Sequence, residues 1–232
     1  MMEGFDFPIE ILRTPRTRSA AIQVNGSGVV IRVPKSLSDK RIRELILKRS
    51  QWIKTKLREH SERPAIAPRE YVSGEGFPYL GKTYRLKVVQ GGEQSLKLQA
   101  GRLVATIASR ENQTRDVKNL LIDWYQRHAD LRLREKVERL APIVGVEPSS
   151  IVVKGYKSRW GSCSSKGDIS FNWRIIAAPH RIVDYVVIHE LCHMLEHNHS
   201  PKFWRHVERH EPDWRCCRQW LKTQPALNPH DI

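Results

Sequence analysis

Long apolar runs are missing from this 232-residue chain. None approaches the ~18 residues needed to cross a bilayer, and the start, MMEGFDFPIEILRTPR, lacks the basic-then-apolar order of a secretory signal. Both absences point to a cytoplasmic protein with no membrane partner. Cysteine is scarce: Cys163, Cys192, Cys216 and Cys217 are the four present, and none forms a C-x-x-C pair. That excludes a disulfide scaffold and a cysteine zinc site, leaving reduced, mostly buried thiols. There is no internal repeat, no low-complexity tract and no glycine-rich phosphate loop. Gly81-Lys82 lacks the glycine spacing that such a loop needs. Acidic residues are also few, with 25 Asp and Glu against 40 Lys and Arg, for a net charge of +15.

What is present supports a real core. The chain is 40% hydrophobic, too apolar for disorder, and its length allows one large domain or two small ones. The positive excess is concentrated early: residues 13–69 hold 15 basic and 4 acidic residues. Such a segment suits an acidic partner, including nucleic acid, or else a solvated basic helix face.

Residues 19–33 read as a hairpin turning at Asn25-Gly26-Ser27-Gly28 and stopped by Pro34. Ser38 caps a helix reaching about residue 60, with Ile42, Leu45, Ile46, Trp52, Ile53 and Leu57 as its apolar stripe. Residues 62–68 form a connector. A strand follows over 79–88, then a hairpin through 96–98 and 103–107. After residue 109 the pattern becomes helical over 114–140, ended by Pro142 and Gly145. A short strand at 151–153 and a hairpin over 159–173 precede a strongly apolar helix at 182–197. Ser200-Pro201 opens another helix, and a last short one surrounds Trp214 to Leu221. The expected class is α+β: a β-rich basic portion over 1–110, then a mainly helical catalytic domain over 111–232 with a β-hairpin beside the apolar helix.

The informative segment is His189-Glu190-Leu191-Cys192-His193 within that apolar helix. Histidines four apart lie one turn apart on one face, where both imidazoles reach a single zinc. Glu190 stands beside the first ligand, placed to activate a metal-held water, which is the zincin arrangement for hydrolysis. Polar residues in so apolar a helix would be costly without a metal. A catalytic zinc needs a third protein ligand. His197 lies about 12 Å along a continuous helix from His189. His199 follows Asn198, which tolerates a helix-ending left-handed turn, and is the expected third ligand. His206 and His210, also one turn apart, read as surface histidines.

Arg159-Trp160-Gly161-Ser162-Cys163, Phe171-Asn172-Trp173, the metal segment, Asn198-His199-Ser200 and Phe203-Trp204 together resemble the YgjP-like metal-dependent hydrolases. These are zincin-like proteins akin to the SprT group. The resemblance is strongest over about 150–215. It implies that His189, His193 and His199 bind zinc and that Glu190 is the catalytic acid/base. It also leaves the substrate open, because the family is labelled metallopeptidase while a UTP pyrophosphatase activity is attributed to one member.

The segments around Arg159 and Asn172 are expected to form a sheet edge beside the cleft, with Arg159, Trp160 and Asn172 as substrate-binding residues. Lys154, Lys157 and Arg174 would make that wall cationic, and an edge strand can hold an extended peptide. Phe203 and Trp204 are expected to pack the third-ligand turn. The leading expectation is a zinc metallopeptidase acting on a peptide or protein. A metal-dependent nucleoside triphosphate pyrophosphatase is the alternative, and a nucleic-acid-binding protein with a structural zinc is a further one.

Overall fold

Val29, Ile31 and Val33 are the buried alternate positions of strand β3 (Gly28–Pro34). That strand pairs antiparallel with β2 (Ala21–Asn25) and parallel with β1 (Ile9–Thr14), a strand that the sequence reading missed. Helix α1 (Asp39–Ser61) starts where expected, the Ser38 side chain accepting the Arg41 N–H at 3.4 Å. Ile42, Ile46 and Ile53 are fully buried with the β1–β3 apolar residues. Trp52 is not part of that stripe. It sits about 100° round the helix from Ile53 and is 41% exposed.

The computed structural model describes residues 5–15, 20–25, 28–62 and 69–223. The Gly26-Ser27 turn and residues 63–68 of the expected connector lie outside them. The chain divides into two compact units, Met1–Ile66 and Ala67–Ile232.

The second unit opens with a four-stranded sheet: β4 (Gly76–Tyr79), β5 (Lys82–Gln90), β6 (Ser95–Gln99) and β7 (Arg102–Ile107), ordered β4-β5-β7-β6. The strand expected over 79–88 is instead a hairpin. Leu80 and Gly81 adopt φ of 48° and 86°, which turns the chain back on itself. One face of this sheet (Leu86, Leu96, Leu103, Ala105 and Ile107) is buried in the same core as Val117, Leu121, Trp124 and Tyr125 of helix α2 (Gln113–Val144). The Tyr125 hydroxyl donates to the Pro78 carbonyl at 2.6 Å.

This packing corrects the division expected at residue 110. Composition changes there, but the sheet before it buries its apolar face on the helix after it, so both belong to one core. Gly145, at φ 83°, ends α2, and its N–H reaches the Ala141 carbonyl.

A small sheet follows, in order β8-β10-β9: β8 (Ser150–Lys154), β9 (Gly161–Cys163) and β10 (Asp168–Asn172). A 3-10 turn (Trp173–Ala177) leads to α3 (His180–Cys192), α4 (Pro201–His210) and α5 (Trp214–Thr223). The protein is thus α+β, sheets early and helices late, with the β9–β10 hairpin against the histidine helix α3. No helix among the described residues is long and apolar enough to cross a membrane.

Candidate metal centre

Helix α3 ends at Cys192, five residues short of where the apolar pattern alone placed its end. His193 caps it, and single turns through Met194, Leu195 and Glu196 carry the chain around. Ser200 then restarts a helix: its hydroxyl accepts the Phe203 N–H at 3.3 Å, with Pro201 at the first position. His199 lies just before that cap. The early stop and the immediate restart bring it back over the face of α3.

The ligand-capable ring nitrogens of His189, His193 and His199 all lie within 4.8 Å of one another. His197 is exposed and outside the cluster. Phe203, fully buried, is the floor on which the three rings rest. Its ring stacks on His193 at 4.3 Å and meets His189 and His199 edge-on at 4.9 Å each.

The donor set fits a cation. His193 Nδ1 is 3.2 Å from the Glu196 carbonyl oxygen, which can only accept, so Nδ1 carries the proton and Nε2 presents a lone pair. His189 Nε2 and His199 Nε2 face each other at 3.1 Å, and buried His189 Nδ1 has no hydrogen-bond partner. Two nitrogen atoms so close need a proton or a metal between them. Burial, and next the neighbouring His193, push His189 down to about 3, and burial also lowers His193 and His199. The three rings are therefore neutral near pH 7, the form that binds metal.

Glu190 is 5% exposed and lies against β9. Burial pushes its carboxyl up to about 8, against the opposing pull of Arg159. Its room comes from Gly161: a Cβ there would lie 2.6 Å from Glu190 Oε1. The sequence places Gly161 in a motif, but only the packing shows that its missing side chain is what matters.

Glu190, His189 and His199 open onto a cleft of about 660 Å³ that Arg159, Trp160 and Trp204 also line. Asn172 does not line it, which corrects its expected substrate contact. It is fully buried, donates to the Tyr156 and Arg159 carbonyls at 3.1 and 3.2 Å, and accepts the Arg174 N–H. Its amide is consumed in bracing the loop that carries Arg159. Lys154 and Arg174 stack instead on Tyr156 and Trp173. The opposite wall, missed by the sequence reading, brings Arg218 and Lys222 from α5. The Arg218 guanidinium lies over the Trp204 ring at 5.1 Å, and Trp204 in turn stacks on Trp214 at 4.0 Å. Arg218 and Lys222 stand one turn apart on α5, but nothing in their local sequence sets them apart from other helix-surface cations.

A profile of the YgjP-like family, described as a metallopeptidase domain, matches residues 18–224. The chain belongs to the YgjP-like metallopeptidase-domain family. As a YgjP-like protein it is a metal-dependent hydrolase. A search of curated proteins gives no match. Among solved structures, the metallopeptidase zymogen abylysin of Pyrococcus abyssi is 25% identical over 39% of this chain and 92% of its own, with a TM-score of 0.37. The metallopeptidase zymogen jannalysin of Methanocaldococcus jannaschii is 21% identical over 39% of this chain and 91% of its own, with a TM-score of 0.34.

Proposed function

We propose that this YgjP-like protein is a zinc peptidase whose metal is held by His189, His193 and His199 and whose acid/base is Glu190. The observation that carries this reading is the convergence of three neutral imidazoles beside a buried carboxyl group at the bottom of an open cleft. Three nitrogen ligands with an open position suit zinc in a hydrolytic site. When bound, zinc acts as a Lewis acid that makes water acidic and polarises a carbonyl.

The chain's own groups supply the rest. Glu190 accepts a proton on its carboxylate from the attacking water and passes it to the leaving amine. Its burial supports this by raising its affinity for that proton. Arg159, on the same wall, is suited to an oxyanion or a substrate carboxylate. Strand β9 is the edge of its sheet, and Trp160, which precedes it, lines the cleft. An extended peptide laid along β9 would pass in front of Glu190.

Metal analysis of purified full-length protein tests the reading. About one zinc per chain is expected, lost in His189→Ala and His193→Ala. Glu190→Gln should keep the zinc and lose peptide cleavage. Wild-type protein that binds no zinc, or a Glu190→Gln variant with full turnover, removes the proposal. Nucleotide hydrolysis without peptide cleavage would favour the pyrophosphatase reading instead.

A further inference from the structure

The cleft is unevenly charged. Arg159 stands on one wall, Arg218 and Lys222 on the other, and Glu190 is the only carboxylate among the described residues that line it. None of the three cations forms an ion pair with an acidic side chain among the described residues. Several other cations in this unit are paired with carboxylates. Arg181 bridges Glu211 and Asp213, Lys136 and Arg139 share Asp184, and Arg134 holds Asp130. The three cleft cations therefore face the site without a carboxylate partner of their own.

Arg218 is exposed, but it rests against an aromatic face. Its guanidinium lies on Trp204, and Trp204 is fixed between Trp214 and the ring of His199. A planar guanidinium pre-set on an aromatic face loses little freedom when it grips a carboxylate through two parallel hydrogen bonds. Lys222, one turn further along α5, adds a second charge without that geometry.

We propose that Arg218 and Lys222 form a substrate subsite that makes the enzyme select peptides carrying a carboxylate close to the scissile bond. The inference rests on the peptidase reading above and specifies its substrate class. The carboxylate has two possible sources, an acidic side chain or the peptide's own C-terminus. Arg159, facing them across the cleft, shares the task or stabilises the reacting carbonyl.

The test uses full-length zinc-loaded protein and paired peptides that differ only by Glu against Gln at successive positions. Each is made with a free and with an amidated C-terminus, and kcat/KM is read for every member. A carboxylate-bearing peptide should be preferred over its neutral partner by about ten-fold, the scale of one charge-assisted contact. Preference for Glu over Gln identifies a side chain, and preference for the free acid over the amide identifies the terminus.

In Arg218→Gln and Lys222→Gln the ratio should fall toward one, and Arg218→Lys should retain part of it. Lys222→Gln, at an exposed position, keeps the test open should Arg218→Gln fold poorly. Equal cleavage of charged and neutral peptides by the wild type, or an unchanged ratio in both Gln variants, overturns the subsite while leaving the peptidase intact. Zinc-loaded protein that cleaves no peptide of either kind overturns the peptidase reading and the subsite with it.

Discussion

Gly161 and Glu190 compete for one volume. A Cβ built on Gly161 falls 2.6 Å from Glu190 Oε1, 2.7 Å from its Cγ and 2.8 Å from its Cδ, so the carboxyl group lies where any other residue's side chain would begin. The glycine holds an edge-strand position in register with Phe171 of β10. It lets the strand approach the helix closely enough to bury the Glu190 carboxyl group beside the cleft.

Gly161→Ala should therefore uncouple catalysis from folding. The atoms displaced are the end of a flexible side chain, so the protein should fold and keep its metal. Glu190 would move by an ångström or so, and a misplacement of that size costs about 100-fold in rate. Peptide turnover and zinc content measured on the same sample check this, and turnover within a few fold of wild type would refute it.

Metal removal should lower stability as well as activity. Stripping the cation leaves the Nε2 atoms of His189 and His199 opposed at 3.1 Å with nothing between them. A ligand at 1,000 times its dissociation constant contributes about 4 kcal/mol. Chelation should thus lower the Tm by roughly 8–16 °C for a unit of this size. Scanning calorimetry with and without chelator measures it, and His193→Ala should already melt at the chelated value.

Phe203→Ala removes the fully buried ring beneath all three histidines. Loss of such a core aromatic costs about 3–5 kcal/mol, and the rings it supported gain freedom that metal binding must remove. Denaturant unfolding should show the first effect and a chelator competition titration a weakened zinc affinity. Phe203→Leu should recover most of the stability and less of the affinity.

Asn172→Ala distinguishes a brace from a substrate contact. It strips three hydrogen bonds that buried Asn172 makes to the loop and turn on either side of it, at about 1–3 kcal/mol for each group left buried and unsatisfied. A lowered Tm is expected, with KM for peptides altered mainly through the displaced Arg159. A large rise in KM with unchanged Tm would restore the contact expected from sequence.

The sequence by itself determined the chemistry of the metal segment. Histidines four apart on an apolar helix must share a face, and a glutamate between them must lie beside the first, because helical geometry fixes both relations locally. Ser38, Ser200 with Pro201, and Gly145 likewise announced their helix ends, since a cap satisfies backbone groups within its own turn. The expectation that His199 rather than His197 comes back to the α3 histidines agrees with their clustering, but the turn is made by the early stop at Cys192 and not by a left-handed Asn198.

Tertiary structure alone decided what depends on chain segments far apart in sequence. The end of α3 at Cys192 is one such feature, since apolar periodicity ran on past it. Another is the membership of the β4–β7 sheet in the catalytic unit, because its apolar face finds its partner on α2. The burial of Asn172, the vacancy left by Gly161 for Glu190 and the arrival of Arg218 and Lys222 across the cleft are of the same kind. Local patterns record which face of an element is apolar; they do not record which other element covers it, and each of these features is a statement about the cover.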